Sequence, residues 1–265
     1  KLRCGKRFLG GGLIFTTVDV HLARDGGRPS VYVFDRLASG CGIVSAQACV
    51  VIGSRAFWTS DNHFWEYDGF ARPMRCDVFD YVFDGMNASQ RSKIYAVHNS
   101  AFGEVWWFYP RGDEMECSDY VIYNYLEGHW SIGSLARTCG VNQEVFGRPL
   151  MLTTAGRVYE HEVGQERDDR QSSLRSAPIT LGIGDRFMYV NEYDPDEGTQ
   201  GDSTVKFIAR YRANGTERIK GPYSSASPKG VRFSGSFVSW EWTFESGVDA
   251  RIGGPRVRVQ SGGAR

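Results

Sequence analysis

Apolar and polar side chains alternate along much of this chain with the period of two that places one set of strand side chains on one face. In segment 237–245 the apolar set is Val238, Trp240, Trp242 and Phe244. Segment 205–212 repeats the pattern, and Asn214-Gly215 follows as a turn, so a hairpin is predicted from about 205 to 220. Helical periodicity is scarce. The pattern therefore predicts an all-β fold.

Four segments share a form in which an aromatic or valine-rich run meets a short polar turn. They are VYVFDRLASG (31–40), FWTSDNHFWEYDG (57–69), VIYNYLEGHWSIG (121–133) and MLTTAGRVYEHEVG (151–164). Each is interpreted as strand, turn, strand. Recurring hairpins at this spacing are typical of β-propeller blades, which pack their aromatic residues against the neighbouring blade.

A polar stretch without periodicity, QERDDRQSSLRSAP (165–178), separates these segments from several strands of a different form. It predicts two parts in the chain. Residues 1–164 would form β-propeller-like blades, and residues 165–265 a β-rich C-terminal subdomain.

The charge is balanced overall but zoned along the chain. There are 31 Lys and Arg residues against 31 Asp and Glu residues, yet residues 60–202 carry 24 acidic and 12 basic side chains, and both ends are basic. Such zoning indicates surfaces that meet different partners. An apolar content of 41% is enough to build a packed core.

No motif in the sequence predicts catalysis or a cofactor. The six cysteines (Cys4, Cys41, Cys49, Cys76, Cys117 and Cys139) lack metal-like spacing and are interpreted as reduced, mostly buried thiols. Neither a G-x-S-x-G elbow nor a phosphate loop occurs. The chain is predicted not to be an enzyme and to hold no metal or cofactor. No apolar run approaches the ~20 residues that span a bilayer, so no membrane span is expected.

Three short features invite a functional interpretation that simpler structure also explains. Asp194, Asp196 and Glu197 lie in YDPDEG, a sequence that is more typical of a turn than of a cation site. In Glu160-His161-Glu162 the two carboxylates would share one face of an exposed strand end. The tripeptide Arg111-Gly112-Asp113 is interpreted as a turn rather than an adhesion motif.

The remaining signal is a resemblance that rests on several segments together. They are 102–133, 151–164, GDRFMYVNEYDPDEG (184–198), KGPYSS (220–225) and ARIGGPRVRVQSGGAR (250–265). In combination they resemble the tail nozzle or tail-hub proteins of short-tailed bacteriophages, both the tail tubular protein B type and the packaged-DNA-stabilising hub type. The matching positions are Glu104, Trp106, Trp107, Tyr109, Pro110, Tyr123, Trp130, Gly133, Tyr159, His161, Glu162 and Gly164.

The resemblance covers about residues 30–265 and implies a mechanical role. Such proteins are structural parts of the virion tail, made in the host cytoplasm. They assemble as a homo-oligomeric ring, commonly a hexamer, below the head-to-tail adaptor or portal-proximal ring, and they contact tail fibres or spikes. The ring continues the DNA channel, retains the genome and passes double-stranded DNA without sequence specificity.

The resemblance implies roles for three arginines and for the acidic residues in the middle of the chain. Arg256, Arg258 and Arg265 become candidates for ring or adaptor contacts. The acidic residues of 60–202 are hypothesised to line the channel and repel phosphates. Members of the family are usually far longer, so an N-terminal portion with further blades is expected to be missing from this chain.

Two alternatives of other classes stay open on the sequence. One is a kelch-like binding propeller that recruits a protein partner to its central face. The other is a glycan-binding or glycan-cleaving propeller, although Thr59-Ser60-Asp61-Asn62 matches a sialidase-type box only faintly.

Overall fold

The computed structural model describes residues 1–142, 147–166, 170–181 and 186–264. Within these ranges the chain is almost entirely antiparallel β-structure in six sheets, which confirms the predicted all-β class. The chain divides into two compact units, residues 1–162 and 163–265.

The first unit contains four successive sheets, each an up-and-down meander. Sheet 1 has β1 (Leu2–Phe8), β2 (Gly11–Thr16), β3 (Asp19–Asp25) and β4 (Tyr32–Ser39). Sheet 2 has β5 (Cys49–Ile52), β6 (Arg55–Thr59), β7 (Phe64–Tyr67) and β8 (Ala71–Pro73). Sheet 3 has β9 (Tyr95–Asn99), β10 (Glu104–Tyr109), β11 (Asp119–Asn124) and β12 (His129–Ser134). Sheet 4 has β13 (Cys139–Val141), β14 (Leu150–Leu152) and β15 (Val158–Glu160).

The first strands of successive sheets lie beside one another. β1 is next to β5, β5 is next to β9, and β9 is next to β13. Gln47, just before β5, forms a parallel bridge with Tyr95 of β9, so these two segments of the chain run in the same direction there. Consecutive blades of a β-propeller place their first strands in this way. The four sheets are therefore propeller-like blades.

Three of the four predicted hairpins are present, and one prediction was wrong. β6–β7, β11–β12 and β14–β15 match the predicted strand pairs, with turns at the polar positions. Segment 31–40 instead forms the single strand β4, which pairs with β3. Asp35 lies within this exposed edge strand, where Arg24 Nε donates to its carboxylate at 2.6 Å.

One short α-helix, α1 (Phe79–Gly85), and a 3₁₀ turn (Ala88–Lys93) connect sheets 2 and 3. No helix in the described part of the chain is long and apolar enough to cross a membrane. Three cysteines, Cys41, Cys49 and Cys117, are buried free thiols; Cys4 and Cys76 are half-buried, and Cys139 is exposed.

The second unit is a sandwich of two antiparallel sheets. Sheet 5 has the order β16 (Ser172–Arg175), β21 (Phe237–Phe244), β18 (Ser203–Arg210) and β19 (Arg218–Ser224). Sheet 6 has the order β20 (Lys229–Gly235), β17 (Arg186–Asp194) and β22 (Arg256–Ala264). The predicted hairpin of 205–220 is confirmed by the pairing of β18 with β19.

Both sheets contribute to the core of the sandwich. Phe207 and Trp242 of sheet 5 pack with Tyr193 and Val231 of sheet 6. Val238 and Trp242 are buried and Trp240 is partly buried, so the alternation read from the sequence confirms which face of β21 points inward.

Candidate functional site

The aromatic residues of β10 divide between two faces of sheet 3, because successive strand residues point in opposite directions. Trp107 and Tyr109 belong to the large core that includes sheets 1 and 2. Trp106 and Phe108 belong to a smaller core that includes Met151 of sheet 4. A single run of aromatic residues thus packs sheet 3 on both sides.

Tyr123 and Trp130 lie on the same face of sheet 3 as Trp107. The ring centroids of Tyr123 and Trp130 are 4.7 Å apart, and those of Trp107 and Trp130 are 6.1 Å apart. Phe64 of β7 lies 4.9 Å from Trp107 and 4.8 Å from Trp130. We call these four residues the aromatic stack. It joins sheet 2 to sheet 3.

The other positions of the resemblance have local structural contacts. The Pro110 carbonyl accepts a hydrogen bond from Asn87 N at 2.9 Å. Gly133 lies under the ring of Tyr120, where a Cβ would approach the hydroxyl to 2.2 Å. Tyr159 lies under Arg137, whose guanidinium carbon is 4.5 Å from the ring centroid. Gly164 has a φ of +71°, which favours glycine.

The arginines expected at ring or adaptor contacts lie on β22. Arg258 pairs with Glu192 of β17, Nη1 to Oε2, at 3.1 Å. Arg256 is exposed and stands opposite Asp194 in the register of the two strands. Arg265 lies outside the described residues.

The register of sheet 3 aligns four polar residues across all four of its strands. Glu104 stands opposite both Asn99 and Asn124, and Asn124 stands opposite His129. Directly opposed residues share a face, so this polar row lies on the face that also carries Trp106. It marks one end of sheet 3 on the side of sheet 4.

Glu104 is held within this row by its neighbours. Trp106 Nε1 donates to Glu104 Oε2 at 2.8 Å. Burial raises the pKa of Glu104, while the hydrogen bond from Trp106 and the nearby His129 act in the opposite direction. The carboxylate therefore has a fixed orientation and is partly removed from water.

Asn99 is the most buried member of the row, with 1% of its surface exposed. Neither its side-chain nitrogen nor its side-chain oxygen makes a hydrogen bond of good geometry within the described structure. The amide is nonetheless close enough to Glu104, the residue opposite it, to act on that carboxylate as a hydrogen-bond donor, which lowers the pKa of Glu104. Glu104 is therefore the polar partner of this buried amide.

Glu162 lies two residues after β15, the last strand of sheet 4. Its φ of +63° is in the left-handed region, which breaks the alternation of β15 after Glu160. Residue Glu162 is exposed overall, yet partial loss of water around its carboxyl, and then the charge of Glu104, raise the pKa of Glu162. We call Glu104 and Glu162 the carboxylate pair.

Glu160 and Glu162 are exposed, as predicted for a strand end, but the prediction that they share one strand face was wrong, because β15 ends at Glu160. Glu160 faces Arg148, Nε to Oε1, at 3.8 Å. His161 Nε2 lies 3.0 Å from Arg137 Nε. The alternation of side chains does not extend past a residue with positive φ.

A cleft of about 560 Å³ opens beside the aromatic stack. Its lining includes Glu66, Arg72, Arg75, Asp77 and Tyr123. Arg72 pairs with Glu66 at 2.6 Å and with Asp68 at 2.7 Å, and Glu66 also binds Arg55 at 3.0 Å. The carboxylates nearest the cleft are thus already engaged with arginines of sheet 2.

Two of the short motifs serve the structure of loops. Asp196 accepts hydrogen bonds from Gly198 N at 3.0 Å and Gly254 N at 2.6 Å, which fixes the turn in YDPDEG. Arg111 lies 3.8 Å above the Tyr81 ring and donates to the Tyr81 carbonyl at 3.1 Å. Within the described ranges, no three His, Cys, Asp or Glu side chains converge as a metal site.

The sequence did not predict the polar row or the carboxylate pair. Glu104 and Glu162 are both positions of the resemblance, yet they belong to different sheets. The sequence feature that could have indicated the polar row is Glu104. It is a charged residue two positions before Trp106 and therefore on the same strand face.

Comparison with known proteins adds little to this description. No family model matches the chain, and no curated protein matches it. Among solved structures it is similar to an exo-β-1,3-galactanase from Phanerochaete chrysosporium with β-1,3-galactotriose bound. That match has a TM-score of 0.31 at 9% identity and covers 94% of this chain and 78% of the galactanase. A structure described as a glycoside hydrolase has a TM-score of 0.21 at 8% identity, with 97% of both chains covered. Likenesses at these TM-scores carry no argument about function.

Proposed function

We propose that this chain is a structural subunit of a tail nozzle or tail hub of a short-tailed bacteriophage. The observation that carries the proposal is the aromatic stack. Trp107, Tyr123 and Trp130, which are positions of the resemblance, pack against Phe64 to join two blades. Their rings serve as packing between sheets rather than as an exposed platform for a ligand. Rigid contact between blades suits a protein that must hold a channel against pressure.

The proposed ring requires a surface that can meet a second copy of the chain. β22 is the outer strand of sheet 6, and its free edge carries unpaired backbone donors and acceptors. Its exposed residues include Arg256 and Arg258. A charged edge strand is protected against unspecific aggregation, yet it remains available to a partner of opposite charge. The ring or adaptor contacts are proposed to form here.

The acidic middle of the chain is proposed to face passing DNA only in part. Several of its carboxylates are engaged locally: Glu66 with Arg55 and Arg72, and Glu116 with Lys93. These pairs reduce the net field that a phosphate would meet. The channel wall is therefore expected to be weakly acidic rather than densely charged, which keeps DNA sliding without sequence specificity.

Native mass measurement and negative-stain imaging test the proposal, on the protein alone and mixed with neck components of a short-tailed virion. We expect rings with a central hole that dock onto the head-to-tail adaptor. A stable monomer that does not bind the neck components would overturn the proposal. The kelch-like and glycan-binding alternatives would then be favoured.

A charge-reversal variant tests which surface makes the ring. Arg256→Glu is expected to abolish or strongly weaken assembly, because Arg256 is exposed and close to the free edge. Arg24→Glu is the matched control, since Arg24 is an exposed strand residue that pairs with Asp35 inside sheet 1. Equal loss of assembly in both variants would contradict a specific role of β22.

A further inference from the structure

We propose that the open face of sheet 1 binds single-stranded nucleic acid. The open face is the side of this sheet turned away from sheet 2, and its residues used here are Arg7, Gly12, Ala23, Tyr32, Phe34 and Arg36. The inference is independent of the proposed function. It rests on the register of four strands, on two exposed aromatic rings and on two exposed arginines.

The register of sheet 1 places these six residues on one face. A row of directly opposed residues crosses all four strands, from Arg7 through Gly12 and Ala23 to Phe34. Directly opposed residues share a face. Tyr32 and Arg36 lie two positions before and after Phe34 on β4, so they share that face as well. Aromatic and cationic side chains thus stand on the outer strands, with small residues between them.

The opposite face of sheet 1 makes the contact with sheet 2. Phe15 packs edge-on against Trp58, and Phe8 packs in the same way against Tyr67, each with ring centroids 5.4 Å apart. These rings are buried. Contact between blades in this unit is therefore made by buried apolar side chains, and the open face differs from it in chemistry.

Two aromatic rings project from the edge strand of the open face. Tyr32 is 60% exposed and Phe34 is 62% exposed, and neither ring contacts another ring within the described residues. Residues two positions apart on a strand are separated by about 6.8 Å, so the rings form two successive steps along β4. Exposed rings on a four-stranded sheet stack bases in this manner in known RNA-binding modules.

The arginines of the open face have no acidic partner within the described part of the chain. Arg7 of β1 and Arg36 of β4 are exposed and form no ion pair there. Asp25, which stands opposite Tyr32, already accepts a hydrogen bond from Gly27 N at 2.9 Å. Two free guanidinium groups on one face suit the phosphates of a nucleic acid.

The middle of the open face leaves room for a nucleotide. Neighbouring strands lie about 4.8 Å apart, so three such spacings separate Arg7 from Phe34 by about 14 Å. Gly12 and Ala23 lie between them and bring no large side chain. A nucleotide can lie across β2 and β3 with its base against Phe34 and its phosphate within reach of an arginine.

The rings select a single strand over a duplex. In a duplex the bases stack on each other, so their faces are not accessible to Tyr32 and Phe34, whereas a single strand exposes them. With few phosphate contacts, we expect a dissociation constant on the order of 10⁻⁶ to 10⁻⁴ M at physiological salt.

Fluorescence anisotropy of a labelled oligothymidylate tests the proposal on the whole chain. An oligomer of about 20 nucleotides exceeds the usual size of a single-strand site, and it should bind more tightly than a duplex of the same length. Phe34→Ala should weaken binding about 5-fold to 150-fold, because a ring that stacks a base is lost. Arg36→Gln should reduce the slope of log affinity against log salt by about 0.7, the contribution of one single-strand phosphate.

Matched controls come from exposed residues away from the open face. Phe70 is 80% exposed in the turn between β7 and β8, so Phe70→Ala should leave binding unchanged. Arg24 follows Ala23 on β3 and therefore points to the other face, where it pairs with Asp35 at 2.6 Å. Arg24→Gln should accordingly keep the salt slope of the unmodified chain. Unfolding curves show whether each variant is folded.

Photocrosslinking locates the bound strand. An oligonucleotide that carries 5-iodouracil in place of thymine reacts on irradiation with aromatic side chains against which its bases stack. Mass spectrometry of the digested protein should place the crosslinks at Tyr32 and Phe34.

Four outcomes would overturn the proposal. Three of them are equal affinity for single strand and duplex, affinity that Phe34→Ala leaves unchanged in a folded protein, and crosslinks confined to other sheets. The fourth is a native mass that Phe34→Ala lowers in the absence of nucleic acid while affinity stays the same, which would assign the open face to a second copy of the chain. These variants do not touch β22, so failure here leaves the proposed function standing.

Discussion

The indole of Trp130 stacks on that of Trp107 with an interplanar angle of 25° and a centroid distance of 6.1 Å. Trp130 Nε1 also donates to the carbonyl of Arg75, just after β8, at 2.9 Å. One side chain of the outer strand of sheet 3 thus contacts its own sheet and the neighbouring sheet. Trp107 Nε1 likewise donates to the carbonyl of Ala48, just before β5, at 3.2 Å. The joint between these blades is therefore made by ring packing and by directed hydrogen bonds from both indoles.

Removal of the central ring of this stack should be strongly destabilising. Trp107 is 1% exposed, and Trp107→Ala is expected to lower the free energy of unfolding by about 3 to 5 kcal/mol. Phe70→Ala is the control, because Phe70 is 80% exposed and its loss should change stability by less than about 0.5 kcal/mol. Chemical denaturation of both variants measures the difference. Similar costs for the two would show that the stack is not the main joint.

The surroundings of Gly133 give a second prediction for sheet 3. It stands opposite Tyr120, whose ring covers it and stacks on Trp106 at 5.1 Å. A Cβ at Gly133 would approach the Tyr120 hydroxyl to 2.2 Å, so Gly133→Ala must displace a packed ring. We expect a loss of about 1 to 3 kcal/mol.

Gly12→Ala is the matched control for that substitution. Gly12 is also a strand glycine, but its Cβ would come no closer than 3.4 Å to any atom, the carbonyl oxygen of Lys6. Its replacement should be neutral or stabilising by about 0.4 to 1 kcal/mol through the unfolded state. If both variants lost the same stability, glycine would be needed for strand geometry rather than for space under Tyr120.

The sequence predicted the parts of the fold that depend on local pattern. Alternation identified the inward face of β21 through Val238 and Trp242, and polar turn residues such as Asn62 and Gly156 located the hairpins of sheets 2 and 4. These features depend on neighbours within a few residues of each other. The hairpin predicted in segment 31–40 was wrong because polar residues on an exposed edge strand, such as Asp35, resemble those of a turn.

The carboxylate pair could not be predicted in the same way. Its geometry depends on the register that places Asn99 opposite Glu104 and on the left-handed backbone of Glu162. Register between strands is set by the packing of whole sheets and by turn geometry, not by the residues of one strand. The period of two along a strand places Glu104 on the same face as Trp106. It does not predict which residue of the next blade lies near Glu104.

A buried hydroxyl in the second unit gives an independent prediction. Tyr193 is fully buried, and its hydroxyl donates to the carbonyl of Ser225 at 3.0 Å. Tyr193→Phe leaves that buried carbonyl without its donor, so we expect a loss of about 1 to 3 kcal/mol. Tyr223→Phe is the control, since Tyr223 is half-buried and packs mainly through its ring, 6.4 Å from Phe207. Equal stability of Tyr193→Phe and the unmodified chain would mean that water replaces the lost donor.

The carboxylate pair should also make stability depend on pH. The pKa values of Glu104 and Glu162 are raised above the ordinary 4.5, mainly by burial. The folded state then binds protons more readily than the unfolded chain, so the free energy of unfolding falls as pH rises from 4.5 through the raised values. Glu104→Gln removes this term. Its stability relative to the unmodified chain should therefore improve as pH rises.

Glu217 provides a control with the opposite sign. Hydrogen bonds from Arg175 and Arg210 lower the pKa of Glu217, so its contribution is present above 4.5 and is lost as pH falls through the lowered value. Glu217→Gln should consequently lose relative stability as pH rises from the lowered pKa to 4.5, and its relative stability should change little above 4.5. Denaturant unfolding at several pH values from about 3 to 7 compares the two variants. Parallel curves for Glu104→Gln and the unmodified chain would show that Glu104 has the same pKa in both states, and that its burial carries no electrostatic cost.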